Sequence, residues 1–163
     1  MRVLLTLACA ILLAACGFHP RAQLSLPATL GPIKVETSDP YSPLGLELAT
    51  ALERAGATAA VAGAPASSLR VTAESFSNRP LSVDQLARVR EYISVYRVAF
   101  VLLDARGQPL VTPQVIELSR EYTYDINASA GSPAELELIQ RELRREMEAS
   151  ILRRLDVVLR PKS

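Results

Sequence analysis

The stretch EYISVYRVAFVLLD, residues 91–104, decides how the rest of this chain is read. Valine, isoleucine, tyrosine and phenylalanine dominate it, the side chains that suit a pleated, packed surface. Its second half is apolar on both faces, which predicts a strand in the interior of a sheet. Ala105-Arg106-Gly107-Gln108 follows as a hairpin turn. Residues 115–126 then alternate cleanly. Ile116, Leu118, Tyr122 and Tyr124 point one way and Glu117, Ser119, Glu121 and Thr123 the other, the pattern of a strand with one packed and one wet face.

Upstream, residues 69–76 alternate weakly and give another strand, which Asn78-Arg79-Pro80 is expected to end. Residues 81–88 fit either a helical turn or an irregular loop. Residues 57–68, with Gly63 and Pro65, are loop-like, though part of them fits a strand. Ile33 and Val35 alternate with Lys34 and Glu36 in a first short strand, broken by Ser38-Asp39-Pro40. Ser42-Pro43 opens a helix as N-cap and first-turn proline, and Leu44, Leu48, Ala51, Leu52 and Ala55 form its apolar stripe. Gly56 closes it as a left-handed cap. Ser132-Pro133-Ala134-Glu135 opens a second helix of roughly six turns, with Leu136, Ile139, Leu143, Met147 and Ile151 along one face.

The order is therefore β-α-β-β-β-α. Two amphipathic helices must bury their stripes, and a sheet with one wet face offers the surface. The expected fold is an α/β (α+β) two-layer sandwich, both helices on one face of a four-stranded sheet. The first two strands are free to pair in parallel across the first helix.

The N-terminus is a different object. Residues 3–15 are almost continuously apolar after Arg2. As a helix they span about 20 Å, short of the ~30 Å hydrocarbon core, so they read as a secretory leader. Leu13-Ala14-Ala15-Cys16 looks like a bacterial lipobox, with small side chains before a thiol that receives the lipid. The organisation expected is a signal peptide at 1–15, a lipidated tether at 16–30 and one sandwich domain at 31–163. Gly17 follows Cys16 where an aspartate would favour the inner membrane. The expected location is the outer membrane, anchored on the periplasmic side through acyl chains such as palmitate. Cys9 leaves with the leader and Cys16 carries lipid. No thiol remains for catalysis, zinc or a disulfide.

Charge narrows the functions further. With 18 Lys+Arg against 17 Asp+Glu, loss of Arg2 with the leader leaves a balanced chain and no basic field for nucleic acid. The lone histidine, His19, lies in the tether and cannot build a triad or a metal site, so neither a catalytic residue nor a cofactor is expected. Glu135/Glu137 and Glu146/Glu148 stand two apart on a helix and do not share a face. Arg141, Arg144, Arg145, Arg153, Arg154, Arg160 and Lys162 decorate the last helix and tail. Arg79, Arg88 and Arg90 flank the loop before the long strand, with Arg97 inside that strand. Guanidinium forks suit phosphate, and the outer membrane's chief phosphorylated glycolipid is lipopolysaccharide.

Cys16-Gly17-Phe18-His19, Pro43-Leu44, Glu91-Tyr92, Arg120 with Tyr122, and the last helix ending in Arg154-Leu155 together resemble the LPS-assembly lipoprotein family, LptE, across essentially the whole chain. The resemblance implies a plug inside the lumen of the outer-membrane barrel LptD that assists its assembly and binds lipopolysaccharide in transit. It assigns lipopolysaccharide contact to basic residues at one end of the molecule, one of them in the loop before the long strand, where Arg88 or Arg90 is the nearest match. With Arg79, which flanks the same loop, these are the candidate lipopolysaccharide-binding residues. The second basic position of the family, before the last helix, falls in residues 127–135, which hold no Lys or Arg. A competing reading is a periplasm-facing accessory lipoprotein that binds peptidoglycan or phospholipid for another transport system.

Overall fold

The structure, a computed structural model, describes residues 30–83, 89–123 and 132–159. The leader and nearly all of the tether lie outside them. Six elements follow one another: β1 (Ile33–Thr37), α1 (Pro43–Arg54), β2 (Ser67–Val83), β3 (Val89–Leu103), β4 (Pro109–Thr123) and α2 (Ser132–Leu159). The sheet order is β1-β2-β3-β4. β1 pairs with β2 in parallel, from Ile33 opposite Ser67 to Thr37 opposite Val71, and the other two pairings are antiparallel.

Local chemistry explains the boundaries. Ser42 Oγ accepts from the Gly45 N–H at 3.3 Å and so caps α1. Gly56, at φ 90°, reverses the chain after it, with Gly56 N donating to Glu53 O and Ala57 N to Leu52 O. In the β3–β4 turn the Asp104 carboxylate accepts from the Arg106 and Gln108 N–H groups, and Gly107 takes φ 78°.

One core joins the layers. Leu44, Leu48 and Leu52 of α1 and Leu143, Met147, Ile151 and Leu155 of α2 pack on Leu69, Val71, Val98, Phe100, Leu102 and Val111 of the sheet. Each such side chain, fully buried, contributes roughly 1.5–3 kcal/mol. Residues paired across strands share a face. The helices therefore cover the face bearing Tyr92, Ser94, Tyr96, Val98, Phe100 and Leu102. The opposite face carries Ile93, Val95, Arg97, Ala99 and Val101. As expected, β3 lies inside the sheet and both helices lie on one side.

Three boundaries differ from the sequence reading. β2 does not stop at Asn78-Arg79-Pro80 but runs to Val83, with Pro80 opposite Tyr92. β1 pairs only as far as Val71, so among the described residues β2 is an edge strand beyond it, and its outer flank needs no proline N–H. β4 begins at Pro109, not near Val115, because irregularities around Leu102 and Val111 break the alternation there. α2 extends to Leu159 and is about 42 Å long at ~1.5 Å per residue, Leu155 and Leu159 prolonging its stripe.

Candidate functional site

The register places Arg79 of β2, Ile93 of β3 and Glu121 of β4 in one row on the face the helices leave open. The neighbouring rows are Ser77, Val95 and Ser119, then Ser75, Arg97 and Glu117. Toward the start of β1 the same face holds an ion-pair network, Lys34 Nζ to Glu36 at 2.6 Å and Arg70 to Glu36 at 2.9 Å. The Lys34 ammonium first and the Arg70 guanidinium second hold the Glu36 carboxyl below its ordinary value. Charged and hydroxyl side chains of mixed sign on β2 and β4 flank a central line of Ile93, Val95, Ala99 and Val101 broken by Arg97, and no described helix lies over this face.

The structure tests the predicted phosphate-binding set unevenly. Arg79 is exposed on the open face and meets no carboxylate among the described residues. Arg90 belongs to the backbone of β3, but its side chain lies outside the described part, as do Arg88, Cys16 and His19 altogether. The last-helix cations separate into groups. Arg141 pairs with Glu137 at 3.6 Å, one turn away on α2. Arg144 reaches across to Glu47 of α1 at 3.9 Å. Among the described residues Arg153 and Arg154 bond neutral partners, Ser150 Oγ at 2.8 Å and Gln114 Oε1 at 3.0 Å. Arg160 and Lys162 lie outside the described residues.

A polar row under the helices was missed in the sequence. Ser94, fully buried, donates to Asn78 Oδ1 at 2.7 Å and stands opposite Arg120 of β4. Arg120 in turn ties α2 to the sheet through Glu142 at 2.5 Å and Glu146 at 3.8 Å. Nearer α1, Glu74 accepts from Tyr96 Oη at 2.6 Å and from Ser42 Oγ at 2.8 Å. Burial, and then the Glu74 carboxylate, push the Tyr96 phenol well above its usual value. Beyond the Ser94 row the Tyr92 and Tyr122 rings stack with centroids 5.6 Å apart. The available signal was parity: Arg120 shares its face with Ile116, Leu118 and Tyr122, and a cation there demands a counter-charge.

Among the described residues no group of acidic, histidine or cysteine side chains is placed to hold a metal. No helix among them is long and apolar enough to cross a membrane.

A four-stranded sheet with two helices on one face is the architecture of a class of small bacterial lipoproteins. The crystal structure of rare lipoprotein B from Shewanella oneidensis matches with a TM-score of 0.67 and 24% identity, covering 77% of this chain and 93% of that one. The solution structure of lipoprotein B from Nitrosomonas europaea matches with a TM-score of 0.71 and 25% identity, covering 86% and 90%. The profile of the LptE, lipopolysaccharide-assembly, family matches residues 30–155, and this chain belongs to that family. The LPS-assembly lipoprotein LptE of Pectobacterium atrosepticum is 29% identical over 156 residues, 93% of this chain and 83% of that relative. The chain is thus a lipopolysaccharide-assembly protein and not an enzyme.

Proposed function

We propose that this chain is an outer-membrane lipoprotein, anchored through Cys16 on the periplasmic side, that plugs the LptD β-barrel and contacts lipopolysaccharide through Arg79, Arg88 and Arg90. The observation that supports the plug is the open sheet face. Its rows of Ser75, Arg97 and Glu117 and of Arg79, Ile93 and Glu121 balance two cations against two carboxylates. A barrel lumen is polar, and a mixed, near-neutral wall suits it where a greasy or strongly charged one does not. A permanent lipid tether keeps the plug at high effective concentration beside its barrel. Arg79 adds an exposed guanidinium, paired with no described carboxylate, at the end of the sheet that leads into the β2–β3 connection, and a guanidinium fork can meet phosphate with two hydrogen bonds.

The lipidated protein, extracted from membranes in mild detergent, should carry a roughly stoichiometric outer-membrane barrel with it. Purification alone, with peptidoglycan or phospholipid as the bound material, would overturn the plug and favour an accessory lipoprotein. Cys16→Ala should release the protein to the soluble fraction. Arg79→Asp, alone or with Arg88→Asp and Arg90→Asp, should weaken lipopolysaccharide binding; unchanged affinity removes that end from the site.

A further inference from the structure

The end of the domain where the tether enters has a surface of its own. β1 begins there, and Ser67 Oγ at the start of β2 donates to the Leu30 carbonyl at 2.7 Å. The β3–β4 turn lies at the same end, since Ser68 opposes Leu103 and Leu103 opposes Pro109. α2 runs antiparallel to β4, with Glu142 near Arg120 and Arg154 on Gln114, so its C-terminal turn also arrives there. Four separate segments thus converge on one end.

That end is both apolar and basic. Val157 is 75% exposed, Val158 51% and Leu110 40%, and Val61, in the loop beside the start of β1, is 72% exposed. A groove of about 350 Å³ runs between α2 and β4, lined by Ile116, Ser150, Arg153, Arg154 and Val157. Farther along α2, Arg141 and Arg144 meet glutamates, whereas Arg153 and Arg154 meet only a hydroxyl and an amide. From residue 149 onward the sequence holds Arg153, Arg154, Arg160 and Lys162 against the single Asp156. Exposed valines beside guanidiniums that meet no described carboxylate suit a membrane interface, where apolar groups enter the headgroup boundary and arginines reach lipid phosphates.

We infer that this end of the domain docks on an anionic phospholipid surface, with Val157 and Val158 in the headgroup region and Arg153 and Arg154 on lipid phosphates. The inference rests on the Cys16 anchor proposed above, which sets the domain beside a bilayer. Fourteen residues of tether from Cys16 to Leu30 reach at most about 50 Å. The bilayer is therefore always within range of the end that carries the arginines.

The test uses the full lipidated chain in vesicles of phosphatidylcholine with or without phosphatidylglycerol. With Cys16 acylated, Val157→Cys supplies the only free thiol for an environment-sensitive fluorophore, and Ala134→Cys, at the opposite end of α2, is the control. Flotation with the vesicles reports the anchor; quenching by headgroup-region nitroxide lipids reports docking. Quenching at 157 and not at 134, on anionic vesicles only, is the expected result. Arg153→Gln with Arg154→Gln should lower the docked-to-undocked ratio about thirty-fold, at about fivefold per arginine. A floated protein whose 157 probe is no better quenched than the 134 probe overturns the docking and leaves the anchor standing. Equal quenching on uncharged vesicles, or in the glutamine variant, overturns it as well.

Discussion

The guanidinium of Arg120 on β4 lies 2.5 Å from the Glu142 carboxylate of α2, directly opposite the buried hydroxyl of Ser94 on β3. This pair joins the long helix to the sheet beside the buried stripe of Ile139, Leu143 and Met147. Both partners are partly exposed, 44% and 39%, so solvent screens the attraction. A double-mutant cycle with Arg120→Ala and Glu142→Ala, read by urea unfolding, should give a coupling of about 0.5–1 kcal/mol that shrinks in high salt. A coupling of zero at low salt would mean that apolar packing alone positions α2.

Gly45, in the first turn of α1, is set by its distance to β1. A Cβ built there would lie 2.7 Å from Thr37 Cγ2, and the Thr37 hydroxyl is itself bonded to the Asp39 carbonyl. Gly45→Ala would ordinarily favour a helix by up to about 1 kcal/mol. Here the clash with a β-branched side chain of few rotamers should make it destabilising by about 1 kcal/mol or more. Thr37→Ala with Gly45→Ala should recover stability beyond the sum of the single effects. Thermal melts of the three variants check this.

The core supplies a larger effect. Phe100 and Leu143 are fully buried in facing layers. Phe100→Ala should cost about 3–5 kcal/mol and Leu143→Ala about 2–5 kcal/mol in denaturant unfolding. Val115→Ala, at an exposed open-face position, should change stability by less than about 0.5 kcal/mol.

Two groups give pH dependence of known sign. Burial first, and then the charge of Glu47, raise the Glu148 carboxyl above its ordinary value, with Arg54 opposing. Its folded form keeps its proton longer than the unfolded chain does. Stability from this group is present below the unfolded value of 4.5 and lost as pH rises through the folded one. Glu148→Gln should therefore stabilise the fold at pH 7 by less than about 1 kcal/mol after screening, read as a higher melting temperature, and leave it nearly unchanged at pH 4. Tyr96 is also raised, so the unfolded chain releases that proton first once pH passes 10.0. Stability should fall with increasing alkalinity there, and Tyr96→Phe should flatten the fall in unfolding curves above pH 10.

The element order, the parallel option for β1, the cap at Ser42 and the interior place of β3 were all readable, because each rests on periodicity or on a local terminator. Where the reading failed, a long-range partner overrode a local rule. Asn78-Arg79-Pro80 reads as a break, yet β3 supplies fifteen residues of pairing edge and no described strand pairs with the other flank of β2 beyond Val71. Alternation disappears before residue 115 because the irregular pairing near Leu102 shifts the phase. For the candidate site, Arg79 could be singled out as a cation beside a loop, but its place on the open face depends on a register that no single segment encodes. Glu74 bonding both Ser42 and Tyr96 joins residues far apart in the chain, and nothing local marks it.

The outer margin of β2 beyond Val71 has one more consequence. Strand margins without a paired neighbour invite copies to zip together, and this one, which no described strand pairs, is interrupted by register shifts between Val71 and Ala73 and between Pro80 and Ser82, with an imide nitrogen at Pro80. Crowded copies cannot build a continuous ribbon across those interruptions. A strand margin broken in this way is a poor template for self-pairing, a safeguard written into the register rather than into any one side chain.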